Sequence, residues 1–189
     1  MDLFLASASA RRRDLLAAAG VPFAVDPVDA DETRRPGEPP DAHVLRVARE
    51  KAEAGRTRHA ADAVLAADTV VLVDDLVLGK PASDADAMAM LERLSGRAHD
   101  VLTGVALIWP GHARSAIDRT RVWFTPIAPE EVAWYVNSGE PRDKAGAYAI
   151  QGLASRFVAR IEGSYSNVVG LPVAVVLQLL REIGLDRPR

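Results

Sequence analysis

Asp68 stands inside an otherwise apolar run, Val64 to Val73. An ionised carboxylate is costly to bury unless it is paired or bound to a metal, so the position reads as a strand end facing a polar site, with Asp68 as the candidate base. The alternative is a structural aspartate capping a turn through Thr69. Glu32, in an acidic and proline-rich stretch holding Asp29, Asp31, Pro36, Pro39 and Pro40, can supply a second carboxylate. Two hard oxygen donors of this kind suit a divalent cation shared with a polyphosphate. A solvated connector is the competing reading of the same stretch.

A second group opens the chain. Ser7 and Ser9 precede Arg11, Arg12 and Arg13, after the short apolar run Leu3 to Ala6. A helix start carries free amide donors and partial positive charge, which disfavours cations there. An anion held by the serine hydroxyls and amides and clamped by arginine removes that conflict, whereas a solvated basic cluster leaves it standing. Lysine usage points the same way. Of 23 basic residues only Lys51, Lys80 and Lys144 are lysines. An ammonium is a compact point charge suited to phosphate oxygens, although three chance surface lysines give the same count.

Other chemistries are not written here. The four histidines (His43, His59, His99, His112) have no metal-ligand spacing, and no cysteine occurs, which excludes thiolate metal sites and cysteine nucleophiles. There is no GxxxxGK[ST], GxGxxG or GxSxG segment.

These residues need elements to position them. Helices are expected over Arg11 to Ala19 with Gly20 as stop, from an Asp41 cap to about Arg58, from a Ser83 cap to Leu94, from Pro129 to Ser138, and over Pro172 to Ile183. Strands are expected at Leu3 to Ala6, Phe23 to Val25, Ala63 to Val73, Leu76 to Leu78, Asp100 to Ile108, Ser115 to Phe124 and Phe157 to Ile161. Asp74-Asp75 and Pro110-Gly111 supply hairpin turns. Hairpins and long crossovers together predict an α/β fold with a mixed sheet covered by helices.

Across 189 residues, 49% are hydrophobic and 26% charged, enough apolar material for one domain over residues 1–189, or two small lobes around one cleft. The formal net charge of -3 and only ten aromatic residues disfavour nucleic acid as partner. The apolar runs are too short for a membrane span, and the N-terminal order of acidic, apolar, then basic residues reverses that of a secretory signal. A soluble, unprocessed, cytoplasmic protein is expected.

Seven segments in order, SASARRRDLL from Ser7, AREKA from Ala48, AADTVV from Ala66, GKP from Gly79, SGRAHDVLTGV from Ser95, DKAGAYAIQG from Asp143 and GSYSNVVGLP from Gly163, resemble the Maf family of nucleoside triphosphate pyrophosphatases. The resemblance implies an elongated mixed β-sheet flanked by helices around a central cleft, a fold related to inosine triphosphate pyrophosphatases. It also implies hydrolysis of a nucleoside triphosphate to monophosphate and pyrophosphate with a divalent cation, Mg²⁺ or Mn²⁺, for which Glu32 and Asp68 are the candidate ligands read above. Asp68 matches the family's proton acceptor, and Ser7, Arg12, Glu32, Lys51 and Lys80 match its cleft residues. Arg11, Thr69 and Gln151 match the set that marks the branch acting on dTTP and UTP, against one acting on 7-methyl-GTP. One side-chain amide at Gln151 can donate to a pyrimidine O4 and accept from N3–H. The sequence departs from the family at Ala10, where proline is common. A homodimer is usual in proteins it resembles, and a nucleotide-binding regulator of cell division is the competing function.

Overall fold

Ala63–Val73 is rich in valine, small residues and leucine and forms an eleven-residue strand buried on both faces. Burial on both faces calls for helices on both sides. A computed structural model describes residues 1–187. In chain order it contains β1 (Leu3–Leu5), α1 (Ala10–Ala18), β2 (Ala24–Val25), α2 (Pro40–Arg56), β3 (Ala63–Val73), β4 (Leu76–Leu78), α3 (Asp84–Leu94), β5 (Ala98–Trp109), β6 (His112–Phe124), α4 (Pro129–Asn137), β7 (Val158–Glu162), α5 (Tyr165–Val169) and α6 (Val173–Arg181). Three 3₁₀ turns fill the chain between α4 and β7.

The sheet order is β2-β1-β3-β5-β6-β7, with β4 added to β3. β1 runs parallel to β2 and β3, while β3–β4 and β6–β7 are antiparallel, so the sheet is mixed as expected. The chain divides into two compact units. The first comprises Met1–Asp68, Thr103–Asp118 and the described residues from Gly170 onward; the second comprises Thr69–Leu102 and Arg119–Val169.

In the first unit, strand alternation sorts β3 between two apolar layers. Ala63, Leu65 and Ala67 pack with Leu16 of α1 and Val176, Leu179 and Leu180 of α6. Val64 and Ala66 pack with Ala48 and Ala52 of α2. Small residues let α2 approach closely: a methyl on Gly104 would meet the Val44 carbonyl oxygen at 2.5 Å. In the second unit an aromatic cluster joins Phe124 to Tyr148 at 4.8 Å between ring centres and Tyr135 to Phe157 at 5.6 Å.

Several expectations are corrected. Asp41 falls in the first turn of α2 and does not cap it; Pro39 occupies that place with no side-chain cap. Asp68 sits in the middle of β3 and not at a strand end, because the strand continues through Val73 into the Asp74-Asp75 turn. β5 and β6 extend to the Pro110-Gly111 turn on either side, and α5 was not anticipated. Ser83 does cap α3, accepting from the Asp86 amide. Among the described residues no helix is long and apolar enough to cross a membrane.

Candidate active site

On β3 the series Val64, Ala66, Asp68 continues on the side packed by α2, so the carboxylate is delivered toward that helix. Lys51 lies on the buried face of α2 with Val44, Val47, Ala48 and Ala52. Its Nζ donates to Asp68 Oδ1 at 2.9 Å and to Glu32 Oε1 at 2.6 Å. Lys51 and Asp68 are each only 6% exposed, so their charges are tolerated as a pair, with Glu32 a second partner of Lys51. The first unit brings together Glu32, Lys51 and Asp68, the three residues expected from the sequence to share one site.

Glu32 reaches Lys51 because its segment is tied to α2. Arg46 holds Glu38 through two nitrogens, at 2.7 and 3.0 Å, and its Nη2 also donates to the Thr33 carbonyl at 3.0 Å. The Arg46 hydrogen bond holds the Glu38 carboxyl down at about 2, well below its ordinary 4.5. The same network reaches Asp68. The His43 ring is buried on α2, with Nδ1 3.4 Å from Glu38 Oε2 and Nε2 3.9 Å from Asp68 Oδ2. Glu38, His43 and Arg46 are not among the residues the sequence singles out; of the three only His43 carries a signal, the spacing that puts it on the buried face of α2 with Lys51.

At the first helix Ser9 is the cap of α1, its Oγ accepting from the Arg12 amide at 3.5 Å. Ser7 Oγ accepts from the Ser9 amide at 3.3 Å and from Arg12 Nη1 at 3.4 Å. Arg12 turns away from its own helix dipole toward carbonyls, donating from Nε to Gly170 at 2.8 Å and from Nη1 to Ala67 at 2.7 Å. Burial lowers the Arg12 pKa, and the charges of Asp68 and Glu32 push it back up. The conflict of arginines at a helix start is thus met in part by carbonyl acceptors within the protein. Arg11 is half-buried on the same helix turn.

Thr69, Lys80 and Gln151 belong to the second unit. Thr69 is half-buried in β3, and Lys80 is exposed in the bend after β4. That bend is tied by the Gly146 amide donating to the Gly79 carbonyl at 3.0 Å. Gly146 has a φ of +67°, and a methyl there would meet Val71 Cγ2 at 2.8 Å. Gln151 is exposed in a turn pinned on both sides. Glu140 accepts from the Leu153 amide at 3.0 Å and from Tyr135 Oη at 2.8 Å, and Tyr135 Oη accepts from the Ala149 amide at 3.1 Å. Of the three lysines, Lys144 serves its neighbours, donating to the Asp143 carboxylate and the Glu140 carbonyl.

The donor set fits a divalent cation. Two carboxylates from different elements converge on one cationic atom, the Lys51 Nζ, and hard oxygens are the ligands such an ion takes.

The chain resembles the Ham1 protein of Staphylococcus aureus with a TM-score of 0.57 at 12% identity, over 97% of this chain and all of that one. It resembles a HAM1 protein from Coxiella burnetii with a TM-score of 0.53 at 17% identity, over 96% and 99%. The α/β fold is therefore that of the Ham1 proteins. Within it, residues 2–183 match the model of the Maf-like protein family, and the chain belongs to that family. It is 53% identical over 98% of its length to the dTTP/UTP pyrophosphatase of Myxococcus xanthus, covering 94% of that protein. It is 48% identical over 98% to that of Koribacter versatilis, covering 96%.

Proposed function

We propose that this protein hydrolyses dTTP and UTP to the monophosphate and pyrophosphate. The observation that carries the reading is the buried Asp68 held by Lys51 beside Glu32 and Arg12, in a chain about half identical to dTTP/UTP pyrophosphatases across nearly its whole length. Asp68 accepts the proton of the attacking water, whose oxygen bonds to the α-phosphorus as the bond to the pyrophosphate oxygen breaks. Lys51 and Arg12 offset phosphate charge at a site where little water competes. Ser7, Ser9 and the first amides of α1 hold the phosphate chain. For the pyrimidine base we propose Thr69 and Gln151 of the second unit.

Glu32 and Asp68 would hold a Mg²⁺ or Mn²⁺ ion, which when bound offsets charge on the leaving pyrophosphate. We further propose a cytoplasmic location, where nucleoside triphosphates are made and used, a role in clearing the nucleotide pool, and a homodimer, which sedimentation checks directly. The test of activity is product analysis with dTTP. Pyrophosphate is expected; orthophosphate would move the attack to the γ-phosphorus and overturn the reading. Asp68→Asn is expected to lower kcat by about 100-fold or more with folding intact by circular dichroism.

A further inference from the structure

The Lys51 ammonium occupies the point on which two carboxylates converge, 2.6 Å from Glu32 Oε1 and 2.9 Å from Asp68 Oδ1. Resting on the hydrolase reading above, we propose that the site takes its metal only as the metal–triphosphate complex, with Lys51 holding the metal's place until that complex arrives.

The charges support this order. Glu32 and Asp68 contribute two negative charges, and the Lys51 ammonium and Arg12 guanidinium, both coupled to those carboxylates, contribute two positive ones. A free divalent ion approaching this group meets no net attraction and is repelled by an ammonium about 3 Å from the oxygens it needs. It also has to shed water on the Asp68 side, where Lys51 and Asp68 are each 6% exposed, although Glu32 faces solvent with its side chain 41% exposed. A triphosphate changes both terms. It brings enough negative charge to offset the ion, and its oxygens offer the ammonium new acceptors within reach of a flexible four-carbon stem with three rotatable donors. Lys51 then passes from carboxylate to phosphate, and the two carboxylates are left facing the metal. A magnesium ion held by one or two carboxylates plus substrate phosphates matches this donor set. Among the described residues no third acidic or histidine side chain completes a metal group with them.

The experiment measures Mn²⁺ binding by electron paramagnetic resonance and calorimetry, with no turnover involved. Wild-type protein without nucleotide is expected to bind Mn²⁺ at least about tenfold more weakly than Lys51→Met, which keeps the stem and removes the charge. The double variant K51M/E32Q is expected to lose that gain. Equal affinity in wild type and K51M overturns the proposal, as does a gain that persists without Glu32. A second arm needs no variant. Wild type loaded with a non-hydrolysable α,β-imido analogue of dTTP is expected to bind Mn²⁺ at least about tenfold more tightly than either free protein or free analogue. If nucleotide-free protein already binds as tightly as the loaded protein, the proposal falls even where K51M does not fold. Failure of pyrophosphate release from dTTP, with the K51M gain intact, would sink the hydrolase reading alone.

Discussion

Arg12 spends its guanidinium on two backbone carbonyls, Gly170 and Ala67, while its charge is felt by Asp68 and Glu32. The planar fork is what allows two carbonyls to be met from different nitrogens, and an ammonium has no equivalent geometry. Arg12→Lys therefore keeps the charge and loses the clamp. Hydrogen bonds to a charged donor are worth about 1.5–3 kcal/mol each, so a destabilisation of about 2 kcal/mol is expected by urea unfolding. The KM for dTTP should rise while kcat changes less, because the substitution leaves Asp68 and Lys51 themselves unchanged. A KM unchanged from wild type would restrict Arg12 to a structural part.

At the scale of elements the site depends on how closely α2 lies on the sheet. Gly104 meets the Val44 backbone, so Gly104→Ala must move the helix and not just a side chain. Overpacking of this kind costs about 1–3 kcal/mol, and the displacement carries Lys51 out of register with Asp68. A lower thermal midpoint and a kcat reduced by about tenfold or more are expected, whereas Gly79→Ala, whose methyl meets open space, should leave the midpoint in place. In the second unit Glu140 plays the corresponding part for Gln151. Glu140→Ala releases the Leu153 amide and Tyr135 Oη, so discrimination between dTTP and purine triphosphates should weaken by severalfold in kcat/KM with the fold retained. These dependences mark the limit of what residue order conveys. The apolar run of β3, the helical spacing that buries Lys51 and the Ser83 cap are all readable as periodic or local signals. The clamp from Arg46 to Thr33 and Glu38 and the Glu140 pin are not, because an ionic contact across a loop leaves no period and most arginines look alike. Asp68 stands out by its oddity among apolar residues, and that same oddity suggests a strand end where the strand in fact continues. A buried partner, Lys51, lets the strand run on past it.

For the molecule as a whole, acid stability should have two separable windows. His99 is 2% exposed, its Nε2 within 2.8 Å of Tyr148 Oη, and among the described residues its Nδ1 has no hydrogen-bond partner. Burial pulls its pKa down from 6.5 to about 4, with Asp100 opposing. The unfolded chain therefore binds a proton at His99 below about pH 6.5 that the folded protein declines until about pH 4. More protons on the unfolded state means stability falls as pH falls, so the His99 contribution is complete above about 6.5 and is lost by about 4, a change of about 3 kcal/mol. Glu38 acts lower. Its carboxyl, held at about 2 against an ordinary 4.5, adds stability that is full above 4.5 and disappears as pH falls toward 2. Thermal midpoints of wild type and of His99→Phe with Tyr148→Phe, a pair that leaves no orphaned hydroxyl, isolate the upper window. Wild type should lose stability between about pH 6.5 and 4 more steeply than the double variant. Below that range the curves should run parallel, since both keep Glu38 and Arg46. Equal slopes in the upper range would remove His99 from the account and leave the acid sensitivity to the carboxylates alone.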